Sequence, residues 1–261
     1  MFDYHIHSRV SFDGHDRGVD LAMAAKRTGL KEICFTDHID EDPFDPGLNL
    51  AFDIGAYAKE YDGLEVPGLA IRRGLEFGMT ESNQETLERY LAQREFDFCL
   101  GSVHFVDGLD VYYSEFWQGK TVAQAERLFL EQTLACVRAQ ENFDVLAHLS
   151  FLSKAWAHPT HALISYDSHR TLIDEILKAL VRKDKGLEVN TSGLDRCGGY
   201  LPTLDIVERF HDLGGRIVTV GSDAHRTNRV GQYCFDVCGA LREIFGYVCT
   251  FQHRQPIFHK L

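Results

Sequence analysis

Short apolar runs alternate with amphipathic helical patterns along most of this 261-residue chain. The apolar runs end at about His5, Thr36, Leu75, Val103, Ala147, Val189 and Val220. The helical patterns cover residues 19–28, 85–94, 121–140, 169–183 and 203–213. Strands that alternate with helices pair in parallel, and seven repeats over this length favour a closed barrel over an open sheet. We therefore predict an α/β barrel in one domain, residues 1–261, with an open doubly wound sheet as the alternative.

The bulk composition limits the partners and the compartment. A formal net charge of −12 argues against a nucleic-acid-binding surface, because phosphate backbones attract basic surfaces. No apolar run approaches the roughly 20 residues of a membrane-spanning helix, so no membrane partner is expected. The seven cysteines form no Cys-x-x-Cys pair, and no signal peptide is recognisable. These features predict reduced thiols and a cytoplasmic protein, and they leave the oligomeric state open.

Histidines and acids stand at or just after the ends of the predicted strands. Nine such residues are His5, His7, His15, His38, Glu76, His104, His148, Asp223 and His225. The carboxyl ends of parallel barrel strands share one face, so these side chains are expected to converge. Nitrogen and oxygen donors without thiolates suit zinc, manganese or iron. Nine donors exceed the needs of one ion, so the pattern predicts two or three divalent metal ions.

Each motif is weak by itself, and the joint pattern carries the prediction. His5 and His7 are two residues apart on a strand, so both can face one ion. Asp37 before His38 is equally compatible with a helix cap followed by a surface histidine. The acid and histidine pairing recurs at Asp223 and His225, which favours the metal-binding interpretation of both pairs.

Together these motifs resemble the polymerase and histidinol phosphatase (PHP) family, and within it the monofunctional histidinol-phosphatases. The matching segments are residues 3–7, 11–15, 35–38, 74–76, 101–104, 145–148, 187–193 and 221–225. The resemblance implies a distorted (β/α)7 TIM-like barrel of parallel strands with a trinuclear metal site. One ion would take His5, His7, Glu76 and Asp223. A second would share Glu76 and add His104 and His148, and a third would take His15, His38 and His225.

The resemblance also implies the reaction, which is the hydrolysis of a phosphate monoester in histidine biosynthesis. A hydroxide that bridges two ions would attack phosphorus, with L-histidinol phosphate as the favoured small-molecule substrate. Asp37, His225 or a metal-bound water would protonate the leaving group, and Glu76 would bridge ions. Phosphate contacts are predicted for Asn190, Lys154, Ser192 and Arg196, although Arg196 is also compatible with a solvated surface arginine.

The chain departs from the family pattern where the leaving group would bind. The departures are Ser150, the segment Lys154 to Trp156, and the pair Asp195 and Arg196. Another small phosphomonoester is therefore an alternative substrate. A metal-dependent amidohydrolase and a non-enzymatic metal-bound domain are the alternative functions.

Overall fold

The computed structural model describes residues 1–41 and 49–261. Its strands are β1 (Phe2–Ile6), β2 (Glu32–Phe35), β3 (His38–Glu41), β4 (Asn49–Ala51), β5 (Ala70–Gly78), β6 (Phe98–Ser102), β7 (Phe105–Val106), β8 (Leu109–Asp110), β9 (Val145–Leu146), β10 (Gly186–Asn190), β11 (Val218–Gly221), β12 (Tyr247–Gln252) and β13 (Gln255–Lys260). Its helices are α1 (Gly18–Arg27), α2 (Ile54–Tyr61), α3 (Gln84–Gln93), α4 (Ser114–Trp117), α5 (Val122–Ala139), α6 (Arg170–Arg182), α7 (Leu194–Cys197), α8 (Leu204–Asp212) and α9 (Cys234–Ile244).

Seven parallel strands form a sheet that is nearly closed into a barrel. Their order is β1-β2-β5-β6-β9-β10-β11. The two end strands meet through backbone hydrogen bonds, from His7 N to Ala224 O at 2.8 Å and from Ala224 N to His5 O at 3.3 Å. The predicted parallel α/β barrel is confirmed, and the open doubly wound sheet is the wrong alternative.

The helices pack against the outside of this sheet through the apolar stripes visible in the sequence. In α6 the fully buried residues include Ile173, Ile176, Leu177 and Leu180, which recur at helical spacing. Burying an aliphatic side chain of this size stabilises a fold by about 1.5–3 kcal/mol. The glycine after α8 is Gly214, whose φ of 94° suits a residue without a side chain.

A C-terminal hairpin, β12–β13, closes the amino end of the barrel. The hydroxyl of Tyr4 donates to Phe251 O at 3.1 Å and accepts from Phe251 N at 3.0 Å. Cys249 and Phe251 pack with Phe98 in the same buried apolar cluster. Polar side chains gather at the opposite, carboxyl end of the barrel. Within the described ranges, no helix has both the length and the apolar character needed to cross a membrane.

Candidate metal centre

Polar side chains from five barrel strands and from β3 meet at the carboxyl end of the barrel. Each lies in the carboxyl half of a strand or within four residues after a strand ends, at the face that parallel barrel strands share. They are His5, His7, His38, Glu76, His104, His148, Asp223 and His225. All except His225 have side chains at most about a tenth exposed, and the His225 side chain is 28% exposed.

Glu76 stands at the middle of this cluster with its carboxylate surrounded by imidazoles. One oxygen, Oε2, lies 3.0 Å from His5 Nε2, 3.2 Å from His7 Nε2 and 3.4 Å from His38 Nδ1. The other, Oε1, lies 2.9 Å from His148 Nε2 and 3.4 Å from His104 Nε2. Burial by itself would raise the pKa of the Glu76 carboxyl, but the surrounding imidazoles lower that pKa well below its usual range.

Asp223 joins His5 and His7 in a second arrangement of donors. Its Oδ1 lies 3.7 Å from His5 Nε2 and 3.5 Å from His7 Nε2. Donor atoms that bind one ion tetrahedrally at about 2.0–2.2 Å are separated by roughly 3.3–3.6 Å. The distances among these atoms match that spacing. Asp223 has a φ of 55°, an uncommon backbone conformation that turns the side chain into the site.

A third group of donors contains His7, His38, His225 and Asp13. Asp13 Oδ2 lies 3.0 Å from His225 Nε2 and 3.7 Å from His38 Nε2. The family resemblance implied His15 at this place. The structure instead leaves the His15 side chain exposed at the cavity rim and outside every donor group of the described residues. A turn closed by the hydrogen bond from Gly14 N to Ser11 O at 3.2 Å contains Asp13, whose carboxylate lies among the other donors.

Asp40 is a further acid of the cluster, and sequence reasoning missed it. Its two oxygens lie 2.9 Å from His38 Nδ1 and 2.7 Å from His104 Nδ1. Its side chain fits against Gly78, where an added Cβ would lie 1.9 Å from Asp40 Oδ1. The spacing His38-x-Asp40 within β3 is the signal that would have found it, because residues i and i+2 of a strand share a face.

Several of these buried atoms lie close to one another but make no hydrogen bond of acceptable geometry within the described residues. They are His7 Nε2, Asp13 Oδ1, His38 Nδ1 and Asp40 Oδ2. Buried polar atoms are normally satisfied, because an unsatisfied one costs about 1–3 kcal/mol. All four lie in donor groups of nitrogen and oxygen atoms. The residues therefore fit divalent cations of the zinc, manganese or iron type.

Hydrogen bonds behind the donors fix the direction of the imidazoles. His5 Nδ1 lies 2.7 Å from Glu188 Oε1, and Glu188 Oε2 accepts from the backbone N–H of His148 at 2.8 Å. His7 Nδ1 lies 3.1 Å from Ser11 Oγ, which donates to Asp37 Oδ1 at 3.0 Å. In both histidines Nδ1 carries the proton toward the protein, and Nε2 is left to face the centre. Glu188 was missed in the sequence, where an acid inside the apolar run of β10 is the available signal.

Asp37 lies behind the centre and does not line its cavity. Besides Ser11, its carboxylate accepts from the backbone N–H of Ser8 at 2.8 Å and from the Tyr61 hydroxyl. Burial raises the pKa of this carboxyl. With both oxygens occupied inside the protein, Asp37 positions Ser11 and His7, and its position does not support the predicted proton transfer to a leaving group. His225, the other predicted proton donor, does line the cavity.

A cavity of about 700 Å³ opens above the cluster. Three of the four predicted phosphate contacts line it, namely Lys154, Ser192 and Arg196. Lys154 Nζ donates to Ser192 Oγ at 2.9 Å and contacts Asp223 Oδ2. Burial by itself would lower the pKa of Lys154, but the Asp223 carboxylate raises it, so the ammonium is charged.

Asn190, the fourth predicted phosphate contact, is buried below the cavity. Its side-chain amide donates to Glu188 Oε2 at 3.2 Å, and its carbonyl oxygen accepts from Ser192 Oγ at 2.7 Å. The structure therefore places Asn190 as a support for Ser192 rather than at the cavity surface.

Comparisons with known proteins agree with this geometry. The PHP domain family model matches residues 3–192. The chain is 32% identical to a probable histidinol-phosphatase of Clostridium acetobutylicum, over 88% of the chain and 89% of that protein. It is 31% identical to the histidinol-phosphatase of Lactococcus lactis, over 87% of the chain and 85% of that protein.

A solved structure is similar over nearly the whole length. It is the histidinol phosphate phosphatase of Lactococcus lactis in complex with zinc, L-histidinol and phosphate, which superposes with a TM-score of 0.87 at 27% identity and covers 98% of each chain. The matched family model, the curated relatives and the shared barrel agree with one another. The chain belongs to the PHP domain family and, within it, to the phosphatases that resemble histidinol-phosphatase.

Proposed function

We propose that this chain hydrolyses L-histidinol phosphate at a cluster of divalent cations. The observation that carries the proposal is the Glu76 carboxylate, which five imidazoles surround at the floor of a cavity that also holds a lysine and an arginine. Such a site presents metal donors to the phosphoryl group and fixed positive charges to its outer oxygens. The zinc, L-histidinol and phosphate bound by the Lactococcus lactis enzyme support the same reaction.

We assign two or three cations to the donor groups. One would be held by His5, His7 and Asp223 with Glu76, and a second by Glu76 with His104 and His148. A third would be held by Asp13, His38 and His225. When bound, the cations would activate water as the nucleophile and neutralise charge on the phosphoryl oxygens. Zinc is the metal favoured by the similar structure, and manganese and iron suit the same donors.

The chain's own residues would bind and orient the phosphoryl group. Lys154, next to Asp223, supplies a charged ammonium at the cavity floor. Ser192 Oγ lies within 3.2 Å of Asp223 Oδ2 and is held in place by Asn190. Arg196 would donate to the outer oxygens, since a guanidinium binds two oxygens of a phosphate at once. Together these groups would hold the ester oxygen opposite the attacking water.

A proton must reach the alkoxide as the bond from phosphorus to the ester oxygen breaks. Because His225 is already assigned to a cation, this proton would come from water held at the cations, which is the remaining predicted donor. His225 Nδ1 faces the backbone oxygen of Asp223 at 2.9 Å, and its Nε2 lies 3.0 Å from Asp13 Oδ2, so neither ring nitrogen is free to donate to the substrate. This hydrogen bonding holds the imidazole ring in one orientation at the cavity surface.

The wall of the cavity above the cluster is aromatic and acidic. Its aromatic members include Phe12, Tyr112 and Phe151, and Asp110 lies on the same wall. An amino alcohol with an imidazole ring offers both a flat ring and a positive charge to this wall. The wall therefore favours L-histidinol as the leaving group over a small neutral alcohol.

We also propose that residues 1–261 form one domain of this type, since the C-terminal hairpin packs against the barrel through Tyr4 and Phe251. An amidohydrolase would place a bridging lysine in the cluster. Within the described chain, Glu76 stands at that position and Lys154 contacts Asp223 and Ser192 instead.

A substrate panel tests the proposed function. We expect the metal-loaded protein to hydrolyse L-histidinol phosphate with a kcat/KM at least about 100-fold above that for glycerol 2-phosphate, because glycerol offers neither a ring to the aromatic wall nor a positive charge to Asp110. Amide substrates should not react. Equal rates on the two phosphates would contradict the substrate assignment, and hydrolysis of amides without hydrolysis of phosphates would contradict the reaction class.

A further inference from the structure

Two aromatic side chains hold Arg196 at the mouth of the cavity. The Arg196 guanidinium carbon lies 5.4 Å from the centre of the Trp156 ring and 5.9 Å from the centre of the Tyr112 ring. Both distances are within the range of cation–π attraction. We call Tyr112 and Trp156 the aromatic cradle.

A backbone hydrogen bond links the two segments that carry the aromatic cradle. The backbone N–H of Ala157, next to Trp156, donates to Tyr112 O at 3.1 Å. Tyr112 is further held through its backbone N–H, which donates to Asp110 Oδ1 at 2.8 Å. Trp156 is 67% exposed, so burial in a core does not explain its position. The contact of the Trp156 ring with Arg196 accounts for that position.

The charge of Arg196 is left free for a ligand. Its guanidinium makes no hydrogen bond or ion pair to any residue in the described part of the chain. The adjacent acid, Asp195, is engaged elsewhere, by Arg229 and by the Tyr233 hydroxyl at 3.1 Å. A guanidinium attracted to ring faces keeps the N–H groups at its edge available to an oxyanion.

We propose that Tyr112 and Trp156 are positioning residues, which hold Arg196 so that its N–H groups meet the phosphoryl oxygens of the substrate. This inference rests on the proposed function for its substrate, and it adds a role for the segment where the chain departs from its family's pattern. Trp156 is therefore expected to act on phosphate binding through Arg196 and not on the metal cluster.

A double-mutant cycle tests the positioning role in the metal-loaded full-length protein. The variants are Trp156→Ala, Arg196→Ala and the double variant, with Trp156→Tyr as the conservative replacement. We expect Trp156→Ala to raise KM by about 3- to 10-fold with little change in kcat, because the lost contact acts on ground state and transition state alike. Trp156→Tyr should keep KM close to the wild-type value, because tyrosine also offers a ring face to the guanidinium.

The double variant distinguishes positioning from an independent effect. We expect it to match Arg196→Ala, because without the guanidinium the ring has nothing to position. Losses that multiply in the double variant, or an Arg196→Ala variant with unchanged KM, would overturn the proposal. The control is Phe258→Ala, which removes an exposed ring on the C-terminal hairpin and should leave KM unchanged.

Binding of inorganic phosphate, measured by calorimetry on the same variants, separates this proposal from the substrate assignment. The dissociation constant should rise by the same factor in Trp156→Ala and show the same lack of additivity. Coupled phosphate binding without hydrolysis of L-histidinol phosphate would refute the proposed substrate and retain the positioning role. Phosphate binding that is independent of Trp156 would overturn the positioning role.

Discussion

The substitution Glu188→Gln removes one negative charge behind the cluster of metal donors while it keeps the shape of the side chain. Glu188 is 1% exposed, and its two oxygens accept from opposite sides. Oε1 faces His5 Nδ1 at 2.7 Å, and Oε2 accepts from the His148 backbone N–H at 2.8 Å and from Asn190 Nδ2 at 3.2 Å. A glutamine must place its NH2 group against one of these donors.

Either orientation of the glutamine carries a cost. If the NH2 group faces the backbone N–H of His148, two buried donors oppose each other, which destabilises the fold by about 1–3 kcal/mol. If it faces His5, the His5 ring is driven to the other tautomer, with the proton on Nε2, and that nitrogen no longer binds metal. We therefore expect zinc affinity to fall by about 10- to 100-fold.

The assay is a zinc competition titration against a chelating dye, together with kcat/KM for L-histidinol phosphate. The matched control is Glu126→Gln, since Glu126 is also buried beside a histidine, with Oε2 2.9 Å from His169 Nε2, but lies outside the cluster. The control should leave zinc affinity and kcat/KM unchanged, and any effect should be limited to a lower thermal stability. Wild-type zinc affinity and activity in Glu188→Gln would refute the reasoning.

Three further predictions follow from the geometry. Asp13→Ala should lower activity by at least about tenfold, whereas His15→Ala should change it by no more than about twofold; the reverse order would restore His15 as the ligand. Gly221→Ala would place a Cβ 2.3 Å from Glu188 Oε1 and should destabilise the protein by about 1–3 kcal/mol in denaturant titrations, and an unchanged midpoint would contradict the packing. Burial opposes protonation of His38, but Glu76 and Asp40 raise its pKa to about 9 in the metal-free protein. The resulting stabilisation is complete below pH 6.5, the unfolded pKa, so the Tm of chelator-treated protein should fall as the pH rises from 6.5 through about 9, and a rising Tm would count against this charge arrangement.

Much of the fold could be predicted because its signals are local. The predicted strand ends at Leu75, Val103 and Ala147 lie within three residues of the observed ends of β5, β6 and β9. Helix α6 could be predicted because its apolar residues recur at helical spacing, and four of them are fully buried in the structure. The hairpins β3–β4 and β12–β13 and helix α2 escaped prediction, since their stability comes from contacts with residues remote in the sequence.

The site could be predicted to the level of which strand ends converge, but not of which side chain in a loop turns inward. Asp13 and His15 lie two residues apart in an irregular turn without a fixed periodicity, so the sequence does not indicate which one faces the cluster. Strand periodicity does carry that information at His38 and Asp40 in β3. The supporting role of Asp37 depends on Tyr61, Ser8 and Ser11, three partners that meet it only in the folded chain.

The most direct test of the account is a metal analysis of the purified protein, paired with an assay of phosphate ester hydrolysis on the same sample. The convergence of imidazoles on Glu76 predicts two or three divalent ions per chain, loss of hydrolysis after chelation, and recovery when zinc, manganese or iron is returned. The variant Glu76→Gln should retain fewer ions and little activity. A wild-type protein that contains no divalent metal and hydrolyses L-histidinol phosphate at full rate in the presence of a chelator would contradict the account.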